Sequence, residues 1–207
     1  MEVNYKEYLV LSKAVLEEAK RDAREVLEAY EKVCSSMDIC NPFFPRADMY
    51  GLVKFIFKDY SIFEYEKLYG KELSGINFKT EIPTVIFKNL LADGQKKIII
   101  EKEDYYSPSP LNKVLIAKEL ALVYWKEKKK REFDGESELI YMNLFAWSLI
   151  FNPDLQKRVI ISCEREYYVK NNKLNQDDIL LRMANSAGVN VYEAIEAYSH
   201  GVIKFKF

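Results

Sequence analysis

NKVLIAKELALVYWK, Asn112–Lys126, is the stretch on which the reading of this chain turns. It holds no Gly or Pro, and Val114, Leu115, Ile116, Leu120, Leu122, Val123 and Trp125 spread apolar groups around most of its surface. A segment of that kind reads as a helix. Ser109 and Pro110 precede it as N-cap and first helical residue, because proline lacks the N–H that a first turn leaves unused. The helix is expected to run to about Arg131. The cluster KEKKKR, Lys126–Arg131, then places cations at the negative end of the helix dipole, which accounts for it without a bound phosphate.

Outward from this helix the chain changes character. Residues 6–34 carry Leu9, Leu11, Val15, Leu16, Ala19, Ala23, Val26, Leu27 and Tyr30 at helical spacing among charges. CNPFFP, Cys40–Pro45, breaks that helix, and Ala47–Asp59 reads as a second one. Ile62–Tyr69, Pro83–Phe87 and Lys96–Glu101 are rich in β-branched and aromatic residues, with Asp93-Gly94 as a turn signal between the last two. They predict a small sheet of about three strands. Residues 136–151 read as a helix ended by Asn152-Pro153. Leu180–Ala187 and Val191–Ser199 read as a helix–turn–helix pair about Gly188. The expectation is an α+β fold, with a helical body on a small, roughly three-stranded sheet. In domain terms, 1–40 is an N-terminal helical extension and 41–207 one compact unit.

Composition narrows the function classes. At 207 residues, 49% hydrophobic and 14% aromatic, the chain can bury a substantial core. A net charge of −1 gives no global attraction to nucleic acid or anionic lipid. No apolar run reaches the roughly 20 residues of a membrane span. Cys34, Cys40 and Cys163 are odd in number and irregular in spacing, which suits a reducing, cytoplasmic setting better than a disulfide framework.

Helical placement gives one pentapeptide a chemical meaning. Two His at i and i+4 on one helix face can grip a zinc ion, with an intervening Glu as general base. Here the five residues are Lys118, Glu119, Leu120, Ala121 and Leu122. Glu119 occupies the base position, and Lys118 and Leu122 stand where the ligands would be. An ammonium repels a dication and leucine has no lone pair. The sole histidine, His200, is far away in sequence. No metal and no cofactor is therefore expected. Lys118 could fill the metal's place as a buried ammonium paired with Glu138 or Glu119, though a lysine reaching to solvent is the commoner arrangement.

Three blocks, in order, resemble the ImmA/IrrE-type family of zinc metallo-endopeptidases. VLIAKELAL, Val114–Leu122, is similar to the family helix F-T-I-A-H-E-L-G-H. MNLFAWSLIFNP, Met142–Pro153, is similar to E-x-x-A-N-x-F-A-x-x-L-L-M-P. LRMANSAGVN, Leu181–Asn190, is similar to a small helical tail. The resemblance covers roughly Ala47–Ser199 and implies a zincin-like fold. Its third zinc ligand should precede Asn143, where Glu136 and Glu138 are the nearest carboxylates but out of register. The implied function is a catalytically inactive, peptidase-like protein that binds a protein or peptide, in the regulatory circuit of a virus or mobile element. A peptide could add to the edge of the sheet. Two other readings stand beside it. One is a DNA-associated protein using the C-terminal helices, which Glu193, Glu196 and the absence of Lys or Arg in Val191–Ser199 disfavour. The other is a metal-dependent hydrolase with Glu119 as base.

Overall fold

The computed structural model describes residues 5–37, 48–57, 60–64, 96–100, 110–130, 136–170 and 175–205. Helices dominate them: α1 (Tyr5–Ser36), α2 (Met49–Phe55), α3 (Pro110–Lys128), α4 (Glu136–Ile150), α5 (Pro153–Lys170), α6 (Gln176–Ala187) and α7 (Val191–Ser199). The only strands among the described residues are β1 (Tyr60–Glu64) and β2 (Lys96–Ile100), which pair in parallel with Tyr60 opposite Lys96. The α+β fold built on a three-stranded sheet is thus corrected to a helical one. Pro83–Phe87, the Asp93-Gly94 turn, the Cys40–Pro45 breaker and the Ser109 cap lie outside the described residues.

The physical reason lies in α4. Tyr141, Met142 and every residue from Leu144 to Asn152 are buried, so this helix has almost no solvent face. A helix apolar all round must be surrounded, and only other helices are long enough here to do it. α1 covers one side through Ala19, Ala23, Val26, Tyr30 and Cys34, which follow one another at three- and four-residue steps and belong to the same core as α4. The segment read as an extension therefore supplies a wall of the core. α3 covers a second side, where Trp125 meets Tyr141 edge-on at 4.5 Å between ring centroids. α7 closes the far end, with Trp147 Nε1 donating to Glu193 at 2.6 Å.

The sequence reading also overlooked α5. Asn152-Pro153 stops α4 as expected, and it also starts a further helix. The Asn152 side chain accepts from the Leu155 N–H at 2.9 Å, making it an N-cap, and Pro153 is the first helical residue. Asn152→Ala is expected to cost about 1 kcal/mol in a urea titration, the usual value of such a cap. A loss below about 0.3 kcal/mol would show that the helix starts without it. At the other end, Gly188 terminates α6 with φ +70° and gives its N–H to Ala184 and Asn185, so the turn into α7 needs a residue without Cβ.

Gly51 in α2 is required for a different reason. A Cβ there would run into the Tyr30 hydroxyl and the Asp48 carboxylate. Asp48 caps α2 by accepting from the Gly51 N–H at 3.0 Å. Gly51→Ala gains helix propensity but displaces both groups. A net loss of about 1–3 kcal/mol is expected, in the range of overpacking, and a stabilised variant would contradict this arrangement.

Candidate functional site

The sequence singled out Glu119, and the structure buries it completely in α3. Lys118 and Leu122 are half-buried on the same helix, and Glu138 is buried on α4. Among the described residues, no group of three or more His, Cys, Asp or Glu side chains is placed to hold a metal ion. Cys34 and Cys163 are buried thiols, and burial raises the Cys163 pKa above its ordinary value. His200 is exposed at the end of α7, 5.3 Å from the Trp147 ring.

A polar cluster the sequence did not signal joins α1, α3 and α4. The Tyr141 hydroxyl donates to Asp22 at 2.9 Å. Lys129, just past α3, reaches Asp22 at 2.8 Å and Glu18 at 2.5 Å. The Tyr124 hydroxyl donates to Glu25 at 2.9 Å. Burial, together with the facing carboxylates, pushes both phenols well above their ordinary value. They stay protonated donors at neutral pH, so neither can act as a base. Asp22 is only 2% exposed and three elements enclose it. The cluster can clasp helices together, but it offers no opening for a ligand.

The opening lies elsewhere. A groove of about 660 Å³ runs between α1, the junction of α4 and α5, and the segment after α7. Its floor is apolar, made by Leu27, Phe151, Ile160 and Val202. Its rim is charged with both signs: Lys20, Arg24, Lys157 and Lys204 against Glu28, Glu31 and Asp154. Two residues hold the C-terminal wall in place. Lys20 donates to the Gly201 carbonyl at 2.7 Å. Gln156 donates to the Phe151 carbonyl at 2.6 Å and to the Val202 carbonyl at 3.3 Å, and accepts from the Lys204 N–H at 3.1 Å. Burial, and then the neighbouring Lys204 ammonium, lower the Lys20 pKa, with Glu17 opposing.

Neither Lys118, Glu119 nor Leu122 lines this groove. The residues that do were missed because their signal was divided. Lys20, Arg24, Leu27, Glu28 and Glu31 recur at three- and four-residue steps along one stripe of α1, a spacing visible in the sequence. Leu27 falls in the apolar periodicity of residues 6–34, and Lys20, Arg24, Glu28 and Glu31 are among the charges between. The opposite wall comes from residues some 120 to 180 positions away, which no local pattern connects.

No helix among the described residues is long and apolar enough to cross a membrane. No protein-family model matches the chain, and no curated protein or solved structure matches it. The ImmA/IrrE, metallopeptidase and zincin-like reading is corrected accordingly: the helix that carries Glu119 packs in a helical core, and no known family supports the likeness of the three blocks.

Proposed function

We propose that this chain is a binding protein that captures a peptide segment of another protein in the groove between α1 and α5. The observation that carries this is the pairing of an apolar floor with a rim of both charge signs in a space of about 660 Å³. Pockets of roughly 300–1,000 Å³ with apolar walls and a few polar groups are ordinary ligand sites. A peptide suits the rim better than a nucleic acid does, because Glu28, Glu31 and Asp154 would repel phosphates. The reading is non-catalytic: the groove holds no histidine or cysteine, and the buried Glu119 is not part of it.

Selection from a displayed library of random twelve-residue peptides tests this. Enriched sequences with an apolar centre are expected. Their binding to Leu27→Asp and to Ile160→Lys should weaken at least about tenfold, the equivalent of ~1.4 kcal/mol, with circular dichroism unchanged. Both residues are half-buried on the groove side, so each variant can fold. A library that enriches nothing, or peptides indifferent to both substitutions, would end the proposal.

A further inference from the structure

The rim of the groove changes sign along α1. Lys20 and Arg24 come first, Glu28 and Glu31 follow. At a rise of 1.5 Å per residue, Lys20 and Glu31 are about 16 Å apart along the helix axis. Lys204 joins the cationic end, where the Gly201 carbonyl is tied to Lys20 at 2.7 Å and the two ammonium groups act directly on each other. Two like charges held together at a partly buried site repel, and an anion placed between them relieves the repulsion. Glu17 offsets part of this for Lys20. At the other end the Glu28 and Glu31 side chains are both exposed. Asp154 and Lys157 add one charge of each sign from α5.

Building on the reading of the groove as a peptide site, we propose that it selects a bipolar segment. An acidic side chain meets Lys20 and Lys204, apolar side chains lie on Leu27 and Phe151, and a basic side chain meets Glu28 and Glu31. An extended chain covers about 16 Å in roughly five residues at ~3.3 Å each. The acidic and basic residues of the partner therefore stand about five positions apart, around an apolar centre. Complementary charge of this kind sets the choice of partner and its register, while the apolar floor supplies most of the adhesion.

Fluorescence anisotropy with four labelled peptides tests the assignment. Each has the centre Gly-Leu-Phe-Leu, flanked by Glu and Lys, by Gln and Gln, by Glu and Glu, or by Lys and Lys. The Glu/Lys peptide is expected to bind the wild-type chain about tenfold tighter than the Gln/Gln peptide, with the advantage shrinking as salt is raised. In the double variant Lys20→Glu, Lys204→Glu, the Lys/Lys peptide should become the tightest. In Glu28→Lys, Glu31→Lys, which alters only exposed side chains, the Glu/Glu peptide should take that place. Equal binding of Glu/Lys and Gln/Gln, or a ranking unchanged by both double variants, overturns the bipolar rule and leaves an apolar peptide groove standing. Failure of all four peptides ends this inference too; the peptide reading itself is decided separately, by the library selection and the Leu27→Asp and Ile160→Lys variants.

Discussion

Replacing Asp22 by Ala is expected to destabilise the protein by about 3–5 kcal/mol, the usual result of removing one partner from a buried ion pair. Asp22 is 2% exposed and accepts from both Tyr141 and Lys129. Without it, the Lys129 ammonium, 17% exposed, keeps Glu18 as its partner among the described residues, and the Tyr141 hydroxyl loses its acceptor inside the core. Arg21 adds little to the comparison, because its side chain is 69% exposed and its contact with Asp22 is 3.5 Å. Urea denaturation followed by circular dichroism measures the loss. The double variant Asp22→Leu, Lys129→Met should recover the part of the loss that comes from the unpaired Lys129 ammonium, while the Tyr141 hydroxyl still lacks its acceptor. Tyr141→Phe should cost only about 1 kcal/mol, as it removes a donor and leaves the carboxylate to Lys129. These residues share one network, so their effects will not add. A loss under about 1 kcal/mol for Asp22→Ala would mean that the cluster does not clasp the helices.

Phe145→Ala should cost a similar amount, about 3–5 kcal/mol, for a different reason. The ring is fully buried in α4, with centroids 5.6 Å from Tyr124 and 5.8 Å from Tyr141. Truncation removes apolar burial and leaves a cavity that rigid aromatic neighbours cannot fill. The urea midpoint should fall with an unchanged m-value, which would locate the change in the folded core. Recovery with Phe145→Leu should be partial, since leucine restores part of the volume but not the ring contacts. A variant as stable as the wild type would place the core elsewhere than around α4.

What could be read in advance followed periodicity. The steps of α1 and the Gly- and Pro-free run Asn112–Lys126 are local patterns, and local patterns set helices. Of the three expected strands, the β propensity of Lys96–Glu101 and the start of Ile62–Tyr69 fall on β2 and β1, while Pro83–Phe87 lies outside the described residues. The run Lys96–Ile100 pairs with Tyr60–Glu64, about 36 residues earlier, and in parallel. A parallel pairing at that separation is not announced by a local turn signal such as Asp93-Gly94, which suggested a turn between neighbouring strands. Asn152-Pro153 does end α4 as expected; what was missed is that the same dipeptide caps and starts α5. Glu119 drew notice by matching a chemical motif, yet a helix packed on several sides buries whatever polar residue falls on its inner face. The groove was illegible as a unit, since one wall is a stripe of α1 and the other is set by Gln156 and the residues after Gly201.

The two tryptophans sit toward opposite ends of α4's packing, and this makes them internal reporters. Trp125 lies against Tyr141, where α3 meets α4 beside the Asp22 cluster. Trp147 is tied to Glu193 on α7 and stands near His200. Their emission therefore follows two separate seams of the molecule. Trp147→Phe leaves a signal for the separation of α3 from α4, and Trp125→Phe leaves one for the release of α7. Comparing the two unfolding curves would show whether the C-terminal hairpin opens together with the rest or ahead of it.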